Sequence, residues 1–148
     1  MRNFGGDTSD TMPVLFSRTI ADDPSSSWDF SWTPDVVVVN LGTNDFSTGD
    51  PGQEFADRLG EFVAEIRTHY PVAWILLATS PMLGGTAHTQ HRSYLEQAVA
   101  GGGDHVRLVD LAEQDPNDGY GCDFHPSPVT QQKMATALVA AIRDVTGW

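Results

Sequence analysis

The feature that most constrains how this chain folds is an unbroken run of four valines at residues 36–39, followed by Leu41. β-Branched residues favour strands, and a strand that is apolar at consecutive positions is typical of a parallel sheet covered on both faces. The run therefore predicts a central strand. It ends at residues 42–45, Gly-Thr-Asn-Asp, which would follow the carboxyl end of the strand, the edge where open α/β sheets bind ligands.

Strand and helix patterns alternate along the rest of the chain. Apolar residues at helical spacing predict helices over residues 12–20, 50–70, 89–100 and from Ser127 onward. Further apolar runs predict strands over residues 73–79 and 106–111. This order indicates a parallel sheet with right-handed crossovers and helices on both faces. We therefore predict an α/β fold, a three-layer α/β/α sandwich of flavodoxin-like topology, built as one domain over residues 1–148.

Two local signals predict where helices begin. Residues 50–53, Asp-Pro-Gly-Gln, predict a capping box with proline at the first helical position. Ser127, directly before Pro128, predicts the N-cap of the last helix.

The composition excludes several classes of function. Hydrophobic residues make up 40% and charged residues 19% of the chain, a balance typical of globular proteins. No apolar run approaches the roughly 20 residues that a membrane span needs. The formal net charge of −12 disfavours nucleic acid and anionic membrane as partners and suits a neutral substrate. The single cysteine, Cys122, excludes an internal disulfide and a multi-cysteine metal site, and we predict no cofactor.

Each predicted strand is followed by polar residues that are candidates for catalysis: Asn44 and Asp45, Ser80 and His88, and Asp123 and His125. The carboxyl ends of parallel strands lie at one edge of the sheet, so these side chains are expected to converge there. His125 precedes the capped last helix and suits a general base. Asn44 suits a donor to an oxyanion, a contact worth about 3 kcal/mol in hydrolases. Taken alone, Asn44 and Asp45 also fit an ordinary turn.

Short blocks of sequence carry a resemblance to a known superfamily. Residues 42–45 are followed about 80 residues later by residues 123–126, Asp-Phe-His-Pro, just before the last helix. The pair resembles the third and fifth sequence blocks of the SGNH, or GDSL, hydrolases. A closer similarity is to the catalytic domain of carbohydrate esterase family 2, whose members remove acetyl groups from xylan and related sugars. It lies in residues 2–7, 11–13, 27–30, 41–46, 81–83 and 119–126.

The resemblance implies that Asn44 is an oxyanion-hole donor and that His125 is the general base. In the family the nucleophile is a serine in a Gly-Asp-Ser block after the first strand, and that block is not identifiable here. We therefore expect this chain to be the C-terminal part of such a domain, with its catalytic serine upstream and Met1 internal or mis-assigned as a start.

Residues 6–9, Gly-Asp-Thr-Ser, superficially resemble the missing block. Only five residues precede them, and those residues are not strand-like, so no strand is available to present the hydroxyl of Thr8 or Ser9. We favour the interpretation that Thr8 and Ser9 form a precap before the first helix, for which Ser9, Asp10 and Thr11 are all plausible caps.

The partner of His125 is left open by the sequence. The superfamily places an aspartate three residues before the histidine, but here that position is Cys122 and Asp123 lies only two residues before. Because successive extended residues point to opposite sides, this shift can turn the carboxylate away from the imidazole. Either Asp123 orients His125, or a main-chain carbonyl does so in a catalytic dyad.

The function implied by the resemblance is that of a serine esterase-type hydrolase that removes O-acetyl groups from xylan-like carbohydrates, with acetylated carbohydrate as its partner. Candidates for the sugar-binding rim are Trp28, Trp32, Tyr120, Phe124 and residues 81–83. The loop aromatics, Phe30 included, also fit a hydrophobic plug under the loop. The alternative function is that of a non-catalytic fragment or carbohydrate-binding remnant of such an esterase.

The resemblance also places the absent first strand beside residues 36–41. Its absence would leave an apolar sheet edge unpaired, so we expect self-association through that edge. Residues after Met1 form no signal peptide, and secretion is suggested only by the resemblance, so the localisation stays open.

Overall fold

The computed structural model describes residues 1–3 and 5–148 of the chain, so Phe4, in the block of residues 2–7, lies outside the described residues. Its sheet contains β1 (Val36–Val39), β2 (Trp74–Ala78) and β3 (Val106–Val109). The strands are parallel in the order β1-β2-β3, with Val37 opposite Ile75 and Leu77 opposite Leu108. The helices are α1 (Met12–Leu15), α2 (Gln53–His69), α3 (Gly85–Gly101) and α4 (Pro128–Thr146).

Helices cover both faces of the sheet, which confirms the predicted three-layer sandwich. Ile75 and Leu77 of β2 face α2 and α3, and Leu76 and Ala78 face α4, as the alternation of side chains along a strand requires. These four residues are fully buried, so β2 forms the centre of the core. Apolar side chains of α4 at helical spacing pack on this second face: Met134, Leu138, Ala141, Ile142 and Val145.

The valine run forms β1, but its predicted central position is wrong for the described residues. Within them β1 pairs only with β2 and so lies at the edge of the sheet. Val36 packs toward α4, whereas Val38, which shares its face, is 40% exposed. The other edge of β1 has no strand partner in the described part of the chain, as expected from the resemblance.

Several helix boundaries differ from the predicted ones for local reasons. The helix predicted over residues 12–20 is only the single turn α1. The predicted capping box at residues 50–53 is wrong, because Asp50 accepts a hydrogen bond from the Gly52 N–H at 3.0 Å and Gly52 has a non-helical φ of 70°. In contrast, the Ser127 hydroxyl accepts from the Thr130 N–H, which confirms the predicted N-cap of α4.

Helix α3 begins at Gly85, four residues before the predicted start. The Glu113 carboxylate accepts a hydrogen bond from the Gly85 N–H at 2.9 Å. A carboxylate at this place accepts a hydrogen bond from an N–H group that has no partner within the helix, and the positive end of the helix dipole stabilises its negative charge. None of the helices in the described residues is long and apolar enough to cross a lipid bilayer.

The loop aromatics before β1 divide into two groups. The ring of Phe30 stacks on that of His69 with 3.5 Å between centroids, and the Trp28 indole lies 3.4 Å from the Tyr70 hydroxyl. Trp28 and Phe30 thus form the hydrophobic plug that was one of the two interpretations. Trp32 is exposed and belongs to neither contact.

Candidate active site

The loops that follow the carboxyl ends of the three strands meet at one open groove with a volume of about 440 Å³. The residues that line it are Asn40, Thr43, Asn44, Ser80, Pro81, Met82, Asp123, His125, Pro126 and Met134. The structure therefore brings Asn44, Asp123 and His125 together, although 79 positions separate Asn44 from Asp123 in the sequence. His88 lies outside this groove and pairs with Asp110 at 3.1 Å.

The imidazole of His125 is held by the main chain. Its Nδ1 lies 3.1 Å from the carbonyl oxygen of Cys122, and the His125 backbone N–H donates to the same oxygen. A carbonyl oxygen can only accept, so this contact requires the proton on Nδ1 in the neutral ring. Nε2 is then left with a lone pair, as a general base needs.

His125 closes a tight turn. The Gly121 N–H donates to the His125 carbonyl at 2.8 Å, and a Cβ on Gly121 would lie 3.2 Å from the carbonyl oxygens of His125 and Pro126. Asp123 and Phe124 both take left-handed conformations, with φ of 54° and 59°. Such conformations are costly for residues other than glycine and persist where the surrounding structure enforces them.

Asp123 makes no hydrogen bond to the imidazole of His125 among the described residues. Its side chain is exposed at the groove and makes no hydrogen bond or ion pair within the part of the chain that the structure describes. Of the two alternatives left open by the sequence, the contact at Nδ1 is the one made by a main-chain carbonyl.

Asn44 lies just beyond β1 with its side chain exposed at the groove. Its amide makes no hydrogen bond within the described residues and is therefore free to donate to a bound ligand. The neighbouring Asp45 is buried instead, and its carboxylate lies 3.5 Å from the amino nitrogen of Met1. Burial raises the pKa of Asp45. Asp45 thus faces the interior of the protein, whereas Asn44 is exposed at the groove.

A buried histidine joins the ends of β1 and β2 beneath the groove. His91 of α3 is fully buried, with Nε2 2.9 Å from the Leu41 carbonyl oxygen and Nδ1 accepting from the Ser80 N–H at 3.3 Å. Burial lowers the pKa of His91 to about 4, so its ring is neutral near pH 7. A Cβ at Gly42 would lie 2.5 Å from His91 Nε2, so only glycine leaves room for this contact.

His91 was not identified from the sequence as a site residue. A signal was present, because His91, Leu95 and Ala98 follow at steps of four and three and form the buried face of α3. The spacing predicts burial of His91 but does not say which strand ends its ring contacts.

The hydroxyl groups near the groove are engaged in other contacts. Ser80 Oγ lies 2.7 Å from Thr43 Oγ1 and accepts from the Met82 N–H, and Ser80 is almost fully buried. Ser9 Oγ donates to Asp7 at 2.6 Å, and Thr8 lines a different cavity. Thr8 and Ser9 precede α1, whose N-cap is Thr11, and Thr11 makes no side-chain cap contact.

Two exposed aromatic rings flank the turn that carries His125. Tyr120 is 47% exposed and Phe124 is 73% exposed, and their centroids lie 6.0 Å apart in an edge-to-face arrangement. Exposed aromatic rings are suited to stacking against the apolar faces of sugar rings.

A parallel sheet with helices on both faces and a polar groove at its carboxyl edge defines a doubly wound α/β protein. The chain belongs to the GDSL-like lipase/acylhydrolase family, which matches residues 1–133. This membership confirms the superfamily resemblance carried by the blocks at residues 42–45 and 123–126.

Individual relatives narrow the similarity to carbohydrate esterases. The chain is 40% identical to the cellulase/esterase CelE of Acetivibrio thermocellus, over 99% of this chain and 19% of that protein. It is 27% identical to an acetylxylan esterase / glucomannan deacetylase of Cellvibrio japonicus, over 100% of this chain and 42% of that protein.

A similar solved structure is a family two carbohydrate esterase from Clostridium thermocellum in complex with cellohexaose, with a TM-score of 0.91 and 38% identity. The match covers 99% of this chain and 47% of that one. The chain therefore spans less than half the length of these relatives.

Proposed function

We propose that this chain carries the general base and one oxyanion donor of a serine-type esterase that removes O-acetyl groups from xylan-like carbohydrates. The observation that carries the proposal is the shared groove of Asn44 and His125, in which the Cys122 carbonyl holds His125 Nδ1 and leaves Nε2 free. A free imidazole nitrogen beside an uncommitted amide donor is the arrangement that acyl transfer needs.

In the proposed reaction a serine hydroxyl attacks the acetyl carbonyl carbon while His125 Nε2 accepts the hydroxyl proton. The Asn44 amide donates a hydrogen bond to the oxyanion of the tetrahedral intermediate. The bond from the carbonyl carbon to the sugar oxygen then breaks, and the sugar leaves with the proton from His125. Water, deprotonated by His125, then attacks the acetyl-serine carbonyl. The bond from that carbon to the serine oxygen breaks, His125 returns the proton to the serine oxygen, and acetate leaves.

The serine in this proposal is supplied by polypeptide outside the described residues. Ser80 is buried and paired, Ser9 is bonded to Asp7, and Thr8 lines a different cavity, so none of these hydroxyls stands ready beside His125. Asp123 has no orienting role in the proposal. His125, held by the Cys122 carbonyl, forms a catalytic dyad with the serine.

The proposed substrate class rests on the relatives and on the rim of the groove. The matched relatives are described as esterases of xylan or as carbohydrate esterases, one of them bound to cellohexaose. Tyr120 and Phe124 provide exposed rings next to His125, where a polysaccharide chain would run. The net charge of −12 also favours a neutral polymer over an anionic one.

The test is acetate release from acetylated xylan and from a small aryl acetate. It compares this 148-residue chain with a form extended upstream of Met1, each beside His125→Ala. His105→Ala, at the opposite end of the sheet, is the matched control. We expect activity in the extended form alone, lost in His125→Ala and kept in His105→Ala. Equal activity of the extended form with and without His125 would overturn the proposal.

A second candidate function is sugar binding without turnover. The observation that favours it is the exposed pair Tyr120 and Phe124 beside a groove with no free nucleophilic hydroxyl in the described residues. Calorimetric titration with cello- and xylo-oligosaccharides distinguishes the two. Binding by both forms, with no acetate released by either, would favour this second function.

We also propose that the free edge of β1 is a surface for self-association of the isolated chain. Unpaired N–H and C=O groups of an edge strand can pair with another strand, and Val38 adds an exposed apolar side chain there.

A further inference from the structure

The two carbonyl groups on either side of His125 are each held by a glutamine side chain. Gln114 Nε2 donates to the Phe124 carbonyl oxygen at 3.0 Å, and Gln131 Nε2 donates to the Pro126 carbonyl oxygen at 3.0 Å. Neither glutamine belongs to the turn: one lies in the loop after β3 and the other in the first turn of α4. The two donors therefore connect the turn to the body of the domain.

Gln114 is itself tied to the other side of the groove. Its backbone N–H donates to the carbonyl of Pro81, a groove residue after β2, at 2.8 Å. Its Oε1 is buried without a hydrogen-bond partner in the described residues. One residue thus bridges the loop of Pro81 and the loop of His125, and its donor group is committed to the latter.

Gln131 is fixed by the helix that carries it. Its backbone N–H donates to the Ser127 carbonyl at 2.8 Å, and Ser127 is the buried N-cap of α4. The side chain that reaches Pro126 therefore starts from a rigid element. A contact from such an element holds a loop more strictly than a contact within the loop.

The turn contains strained residues, and its own hydrogen bonds do not hold it in place against the rest of the domain. The hydrogen bonds from Gly121 N–H to His125 and from His125 N–H to Cys122 close the turn. They do not attach the turn to the rest of the domain. Asp123 and Phe124 are held in left-handed conformations, which relax when the surroundings loosen.

We propose that Gln114 and Gln131 are positioning residues for His125. They fix the place of the turn and, through it, the Cys122 carbonyl that keeps the proton on Nδ1. The inference rests on the proposed function for its catalytic meaning, because the position of the turn affects turnover only if His125 is the base.

The first test is independent of activity. Nitrogen NMR of the 148-residue chain measures the tautomer of His125 at a pH where the imidazole is neutral, in the wild type, Gln114→Met, Gln131→Met and the double variant. Methionine keeps the length of glutamine and removes the donor. Gln132→Met is the matched control, since Gln132 is exposed on the same helix and its side chain makes no hydrogen bond among the described residues.

We expect the Nδ1–H form to predominate in the wild type and in Gln132→Met. The fraction of the Nε2–H form should rise in both single variants and most in the double variant. Gln131 is exposed, so Gln131→Met is expected to fold even if loss of the half-buried Gln114 does not allow folding. Folded variants with the wild-type tautomer ratio would overturn the inference.

The second test uses the form of the protein that releases acetate. Misplacement of a catalytic group by about 1 Å can cost about a hundredfold in rate. We therefore expect kcat to fall about 10- to 100-fold in the double variant with KM nearly unchanged, and Gln132→Met to match the wild type. An unchanged kcat would contradict the inference, whereas an unchanged rate in His125→Ala would contradict the proposed function and leave the tautomer result to stand by itself.

Discussion

The Cys122 carbonyl oxygen lies 3.1 Å from Nδ1 of His125 and also accepts the backbone N–H of that histidine. The contact that a triad assigns to a carboxylate is made here by the main chain, three residues before the base. Both partners belong to one tight turn, so the contact that favours the Nδ1–H tautomer is made by the backbone and not by a neighbouring carboxylate.

Asp123→Asn should therefore have little effect on catalysis. Asparagine keeps the size of aspartate and tolerates the left-handed conformation of this position. We expect kcat for acetate release, in the form that is active, to stay within about threefold of the wild type, while His125→Ala abolishes it. In a triad the same change costs about 10⁴ in kcat, so a loss of that size would assign the orienting role to Asp123.

The elements and the edge that carries the site follow from local sequence patterns. The spacing of apolar residues identified α2 and α4 and most of their buried side chains, and Ser127 was recognised as a cap because it directly precedes Pro128. Asn44 and His125 were found because polar residues after predicted strands must lie at one edge of a parallel sheet.

What sequence patterns did not predict depends on contacts between distant residues. The early start of α3 is set by Glu113, 28 residues after Gly85. The contact between the Cys122 carbonyl and His125 lies in a turn with two positive φ angles, and at Phe124 no local propensity favours such an angle. The run of valines indicated a strand correctly, but its place in the sheet depends on which other strands are present.

Gly42→Ala should destabilise the fold beneath the groove. The position has a φ of 118°, and a Cβ would lie 2.5 Å from His91 Nε2 and 2.9 Å from the Phe55 ring. Gly49→Ala is the matched control, because Gly49 has a φ of 111° but no atom within 4 Å of its Cβ position.

We expect a loss of about 3 kcal/mol in the free energy of unfolding for Gly42→Ala and about 1 kcal/mol for Gly49→Ala, measured by urea denaturation. The difference isolates the cost of the clash with the ring from the cost of the backbone conformation. Equal losses in the two variants would mean that the His91 contact can be displaced without cost.

The free energy of unfolding should decrease as the pH falls, because His91 is buried in its neutral form. Its pKa is lowered by burial from 6.5 to about 4, so between these values the unfolded chain binds more protons than the folded one. Stability contributed by the neutral ring is complete above pH 6.5 and is lost as the pH falls toward 4. The shift corresponds to about 3 kcal/mol at most.

Urea denaturation of the wild type and of His91→Gln between these pH values measures this contribution. We expect a shallower pH dependence in the variant, whose amide does not titrate. The raised pKa of the buried Asp45 has the opposite effect, because it stabilises the folded state as the pH falls. This effect is present in both proteins and cancels in the comparison. If the free energy of unfolding depends on pH equally in the wild type and in His91→Gln, His91 is not the source of the pH dependence.

The free edge of β1 should make the isolated chain self-associate. Val38 is 40% exposed on an edge strand, and a lysine on such a strand opposes pairing with another copy. We expect light scattering after size-exclusion chromatography to give a mass that rises with concentration in the wild type and less in Val38→Lys. Val139→Lys, an equally exposed valine on α4, is the control and should behave as the wild type. A concentration-independent monomer of the wild type would contradict self-association through the free edge of β1.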